Sequence, residues 1–309
     1  MRLSDFYRSV GLSDIVNNKR KMNKVLRLAS FSPDFCFESK KDKKGRIYFD
    51  RYKFLGAGFG VSVHGFRRFR TNKEGKTIEK HVVNDWGVFA QGHWDSKIAH
   101  AFIDMDADQL QYCFAEDSDS GNAFEFRINN GLEVMEKFAK QPNYDAVIDF
   151  EEGLARANVA MLMIFGTVLL PVLKDEEHQD FRAAEEAIQR ELLELARAGD
   201  ETAEQSLFQM ATEQEADLRE RLEREDLLSV FEGYFLNLVE QSGIFSILAD
   251  ILAVEELVNE ASLERIYRIS ASITGTKLTL YVGEKDLTGV PIVGMRIMGI
   301  GLLQGAVGL

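Results

Sequence analysis

Two groups of side chains carry the clearest chemical signal. Lys40, Lys41, Lys43, Lys44 and Arg46 form one cationic cluster, and Arg67, Arg68 and Arg70 form another beside Phe66 and Phe69. Cations interleaved with aromatic rings hold phosphate oxygens and stack bases, which is the chemistry of a nucleic-acid surface. Both clusters also border expected turns, where charge is simply solvated. They can equally pair with acidic helices of the same molecule or of a neighbour.

Other constellations fail on their chemistry. Gly56-Ala57-Gly58-Phe59-Gly60 places its third glycine one residue too early for a dinucleotide fingerprint, and Val61 to His64 continue as strand. A fingerprint needs a helix there, so that its N-terminus meets pyrophosphate. The glycines read instead as a bend or bulge. Asp104-Met105-Asp106-Ala107-Asp108 opens like a calcium loop, but Gln109 and Ala115 stand where Gly and Glu are required. His93 and His100 flank Asp95 without metal-ligand spacing, and there is no HExxH or GxSxG. The sequence therefore assigns no catalytic, cofactor-binding or metal-ligating residue.

The elements that must position the cations read as follows. Residues 1–150 open with one or two short helices, with Phe6, Val10, Val25, Leu26 and Leu28 apolar and Lys19 to Lys24 a solvated basic face. Strands are expected at 46–54, 60–66, 77–83, 86–93, 109–116 and 123–129, with turns at Asn72–Gly75 and Asp117–Asn122, and a helix near 132–140. Residues 151–174 hold an uncharged run, Ala157 to Leu173, expected as one long or two short buried strands. At the bottom of the length range for a spanning helix and interrupted by Gly166, Thr167 and Pro171, it is not read as one.

Residues 175–241 are expected to be an acidic helical hairpin. Phe181, Ala184, Ile188, Leu192 and Leu195 fall at helical spacing, a break is placed at Ala198-Gly199-Asp200, and a second helix or pair of helices would carry Leu207, Met210, Leu218, Leu222, Leu228, Phe231 and Phe235. Residues 242–309 give strands at 245–258, 264–273, 277–282 and 295–307, the last interrupted by glycines. They suit a small OB-like barrel, completed by the run at 157–173 with the helices inserted between. The fold class expected is α+β: a β-rich N-terminal region, an acidic helical insertion and a small C-terminal barrel.

Charge divides the 309-residue chain unevenly. Its formal charge is −13, yet residues 1–81 hold 20 Lys/Arg against 8 Asp/Glu, and the rest hold 17 against 42. The composition, 45 % hydrophobic and 28 % charged, excludes disordered and disulfide-stapled classes. Cys36 and Cys113 stand far apart, and the N-terminus lacks the pattern of a secretory signal, so a soluble cytoplasmic protein without a membrane span is expected.

At the C-terminus, residues 285–305 (KDLTGVPIVGMRIMGIGLLQG) resemble the closing segment of a mainly clostridial family known only as a domain of unknown function. Asp286, Leu287, Gly289, Pro291, Gly294, Arg296, Leu303, Gln304 and Gly305 match its DLxGxP, GRR and WLQG elements, with Met295 and Leu302 departing from them. The resemblance implies a bacterial context and no particular activity. The leading functional expectation is a non-catalytic cytoplasmic binding or assembly protein, with a protein partner or self-association through the helical insertion. The alternatives are nucleic-acid binding by the basic region and barrel, or an enzyme with an unrecognised site.

Overall fold

Asn18 starts the principal N-terminal helix by accepting hydrogen bonds from the backbone N–H groups of Arg20 and Lys21, both at 3.1 Å. In the computed structural model this helix, α2 (Lys19–Ser30), follows a 3-10 segment (Leu3–Val10) and a short α1 (Ser13–Val16). Met22, Val25 and Ala29 bury one stripe of α2, whereas Leu28 faces solvent. The structure describes residues 3–32, 34–39, 41–71, 73–92, 94–98, 101–105, 111–116, 123–131, 133–134, 145–148, 155–171, 188, 191–193, 195–196, 200, 202–203, 205–210, 233–239, 243–273 and 276–308.

A four-stranded antiparallel sheet comes next, in chain order: β1 (Phe35–Glu38), β2 (Ile47–Gly56), β3 (Phe59–Thr71) and β4 (Thr77–Ala90). The glycine-rich stretch is the β2–β3 reversal, with Gly58 at φ +81°. A Cβ on Gly60 would sit 2.0 Å from the Lys53 carbonyl oxygen, so the close strand approach there excludes a side chain. The two strands expected at 77–83 and 86–93 are one. His64 pairs with Asp85 and Gly65 with Val83, so a bulge absorbs Asn84 without ending β4.

The uncharged run is a single strand, β10 (Ala155–Leu169). It joins β12 (Ile244–Val258), β13 (Arg265–Ile273), β14 (Thr276–Gly283) and β16 (Arg296–Gly308) in a closed five-stranded barrel. The ring runs β12-β13-β14-β10-β16 and back to β12, antiparallel at every step except β14–β10, which is parallel. Val159, Met161 and Met163 of β10 pack with Ile269, Leu280 and Leu303 in one core, while Ala160 and Leu162 pack with the N-terminal elements in a second. Burial on both faces over Val159–Met163 is why this part of the strand, beyond Arg156, carries no charge and reads as a continuous apolar run.

Further strands extend the barrel sheet: β5 (Trp94–Ile98) on β10, β8 (Ala123–Ile128) on β16, then β7 (Gln111–Glu116), β6 (Ala101–Met105) and β9 (Asp145–Ile148). β15 (Leu287–Thr288) pairs with β10, and β11 (Tyr234–Val239) lies beside β12. The last point corrects the sequence reading, which placed Phe235 in a helix. Phe235 instead stacks on Phe245 at 4.3 Å from within a strand. No described helix is long and apolar enough to cross a membrane.

The chain divides into two units, residues 1–169 with 235–309, and residues 170–234. In the second, described residues 191–193, 195–196, 202–203 and 205–210 are helical. Asp200 accepts hydrogen bonds from Thr202 and Ala203 N–H at 2.8 and 3.2 Å, capping a helix at the expected break. Ile188 and Leu195 of the expected apolar face are exposed, as is Phe208. Leu207 and Met210, which open the expected second helix, are helical, while Phe181, Ala184, Leu218, Leu222, Leu228 and Phe231 lie outside the described residues.

Candidate polyanion-binding surface

Strand register brings the two basic clusters to one end of the four-stranded sheet. The β1–β2 turn leads into Ile47, which pairs with Arg67, and β3 runs on through Arg68 and Arg70 to its reversal beyond Thr71. Clusters separated in sequence by all of β2 therefore share a rim. Lys40 lies outside the described residues. Lys41, Lys43 and Lys44 are exposed on the turn. Its single acid, Asp42, accepts hydrogen bonds from Lys44 N–H, Arg46 N–H and Arg46 Nε, each at 2.8 Å. The Arg46 backbone bond leads the effects that hold the Asp42 carboxyl below its usual range, against some desolvation. The three lysines are left with no acidic partner among the described residues.

The arginines divide by strand face. Arg67 faces α2 and is engaged: it bonds Glu38, which also takes Arg51 at 2.9 Å, and reaches Glu79 at 3.2 Å. His81 Nε2 lies 2.9 Å from the same Glu79 oxygen, and this bond, with the Arg67 contacts, lowers the Glu79 carboxyl despite desolvation. On the opposite face Arg68 is half-buried, its Nε lacking a hydrogen-bond partner. Arg70 is exposed. Arg46 lies between the rings of Tyr48 and Phe66, at 5.3 and 5.4 Å from their centroids.

Helix α2 adds Arg20 and Lys24, expected only as part of a solvated face, and Arg27, which the sequence reading did not single out. Arg20, Lys24 and Arg27 are exposed, fall at helical spacing, and lead toward Phe31 at the helix end. None of these three has an acidic partner among the described residues. The helix end meets the sheet where the Ser30 carbonyl accepts from Arg51 at 2.8 Å and Phe31 stacks on His81 at 4.1 Å. Spacing of Arg20, Lys24, Arg27 and Phe31 without an intervening acid was the signal in the sequence.

Nearer the barrel, the sheet holds a second polar group of residues. Asp50, Ser62 and Tyr52 are buried, and Asp50 Oδ1 lies 2.7 Å from His64 Nδ1. The other Asp50 carboxylate oxygen has no hydrogen-bond partner. Burial pulls the His64 imidazole down, but the Asp50 hydrogen bond and charge, with the charge of Asp85, raise it overall. The arrangement orients an imidazole, which has no hydroxyl or thiol as a hydrogen-bond partner among the described residues. Among the described residues no group of three His, Cys, Asp or Glu stands where it could hold a metal. His93, His100 and Asp106–Asp108 lie outside the described residues.

The family comparison covers both the sheet and the barrel. A family model described as Domain of unknown function, E. rectale Gene description (DUF3881), matches residues 7–305. The chain belongs to the DUF3881 family. The family is named from a clostridial bacterium, in keeping with the resemblance seen at the C-terminus. No curated protein and no solved structure matches the chain. Residues behind that resemblance have architectural work in the DUF3881 chain. Asp286 pairs with Arg8, and Gly289 and Gly294 take φ values of +90° and +86°. Buried Gln304 bonds Asn129 and the Ala90 carbonyl, and a Cβ on Gly305 would stand 2.4 Å from the Asn158 carbonyl oxygen.

Proposed function

We propose that the protein is a non-catalytic binding module that takes a nucleic acid on the basic end of its four-stranded sheet. One observation carries this reading. Lys41, Lys43, Lys44 and Arg70, joined by the α2 stripe of Arg20, Lys24 and Arg27, gather where the local acids are already engaged by Arg46, Arg51, Arg67 and His81. Unpaired cations arranged along a rim match the spaced charges of a phosphate backbone better than those of a single small anion.

The barrel supports this placement. We read its ring, with one parallel pair formed by the first and fourth strands in sequence, as an OB-like barrel whose closing strand comes first. An OB barrel binds oligonucleotides over its second and third strands, which would be β13 and β14 here. Part of that face is occupied by the chain itself. Tyr281 of β14 packs on Phe59 and donates its hydroxyl to the Gln91 carbonyl at 2.9 Å. The barrel then serves as a support, and the sheet end is the contact surface.

The test is a salt titration of binding to single-stranded and duplex oligonucleotides by fluorescence anisotropy. Affinity should fall linearly in log–log form, with the slope reduced by roughly 0.7–0.9 per lost phosphate contact in Lys43→Ala, Lys44→Ala and Arg70→Ala. Absence of binding at low salt overturns the proposal. A second reading, protein contact through the insertion, is favoured by the exposure of Ile188, Leu195 and Phe208. Under that reading, replacing Phe208 by Ser abolishes partner capture or self-association while oligonucleotides fail to bind.

A further inference from the structure

Between the unpaired cations lies a row of planar groups that charge counting does not explain. Phe31 stacks on His81 with the rings 10° apart, leaving the other Phe31 face outward and the residue 57 % exposed. His81 pairs across the strands with Arg67, and Glu79 clamps both side chains. The Arg67 guanidinium lies 5.8 Å from the ring centroid of Phe69, two residues along the same strand face, and Phe69 is 47 % exposed. Phe31 and Phe69 thus stand as the exposed aromatic ends of a platform joined through His81, Glu79 and Arg67. The Arg20–Lys24–Arg27 stripe approaches the Phe31 end.

We infer that this surface takes single-stranded nucleic acid, with bases stacked on Phe31 and Phe69 and the backbone following the α2 cations. The inference rests on the reading of the basic rim as a nucleic-acid surface and adds the strandedness of the ligand. In a duplex the faces of the bases are already stacked on one another, so an exposed phenyl ring gains little from it. A single strand offers free faces, and stacking on aromatic rings is tolerant of base identity. The platform is also held rigid before binding: Arg67 and His81 are fixed by Glu38, Glu79 and the Ser30 carbonyl. Ordering is therefore largely complete in the free protein.

The experiment uses the full chain with fluorescein-labelled oligothymidylate of roughly 12 nucleotides and a duplex of equal length. Phe31→Leu and Phe69→Leu should each weaken single-strand binding about tenfold (about 1.4 kcal/mol) with the salt slope unchanged. Phe31→Tyr and Phe69→Tyr should restore it, and duplex binding should respond to none of the four changes. Both residues are about half exposed, and matched thermal unfolding of each variant excludes a folding defect as the cause. Equal affinity for single strand and duplex, indifferent to the Leu substitutions, overturns the platform and leaves the basic-rim reading standing. Failure of both probes to bind at low salt overturns the two together.

Discussion

The closed barrel and the four-stranded sheet handle polar groups in opposite ways. In the barrel, strand pairing closes on itself around an apolar core that runs from Met161 and Met163 to Ile269 and Leu280. In the sheet, only the half nearest the barrel is sealed, by Phe49, Val61, Val63 and Val88, and the far half ends in charge. Closure removes the free strand edges that invite other chains. Among the described residues of the sheet, cations without acidic partners lie in the half whose packing does not depend on them.

Four changes break or sharpen that contrast, in descending order of effect on stability. Leu280→Ala, at a fully buried position in the barrel core, should destabilise by about 2–5 kcal/mol in chemical denaturation. Oligonucleotide affinity of the folded fraction should be unchanged. Gln304→Leu would orphan the Asn129 amide and the Ala90 carbonyl at the junction of barrel and sheet. The cost should be roughly 1–3 kcal/mol for each group left unsatisfied; a neutral result would mean that water replaces the side chain.

His64 should give a pH signature rather than a large loss. Its imidazole holds a proton more tightly folded than unfolded, since Asp50 and Asp85 outweigh burial and the opposing charge of Arg127. The stabilisation is therefore complete below the unfolded value of about 6.5 and fades as pH rises through the raised folded value. Denaturation midpoints should decline over that window, and His64→Gln should flatten the decline. Smallest of all, Lys43→Ala with Lys44→Ala should move stability by less than about 0.5 kcal/mol while reducing the salt dependence of binding. A stability change above that figure would show that the rim belongs to the sheet's packing after all.

Much of the barrel was legible in the sequence because its strands alternate. Period-two burial over 265–273 and the glycines of β16 place β13 and β16 close to their observed bounds. Phe235 misled because apolar spacing in a six-residue edge strand is too short to separate the two periods. β4 misled because Asn84 and Asp85 look like a break, and only its partner strand reveals the bulge. At the surface, residue type alone found Lys41, Lys43, Lys44, Arg67, Arg68 and Arg70. Their convergence, and the engagement of Arg67 by Glu38 and Glu79, are properties of register. No local pattern in the chain encodes the stacking of Phe31 on His81, because it joins a helix end to a strand made much later.

The place of β10 in the ring also sets a timetable for biosynthesis. Its neighbours β14 and β16 both follow it in the chain, on the far side of residues 170–234. At about 5–20 residues per second, this strand leaves the ribosome on the order of ten seconds before both its ring neighbours exist, with only β5 of its strand partners already made. During that interval it must be shielded by the N-terminal helices, which pack on its outward-facing Ala160 and Leu162, or by a chaperone. The early N-terminal elements are thus in a position to hold the barrel's first stave until the last one arrives.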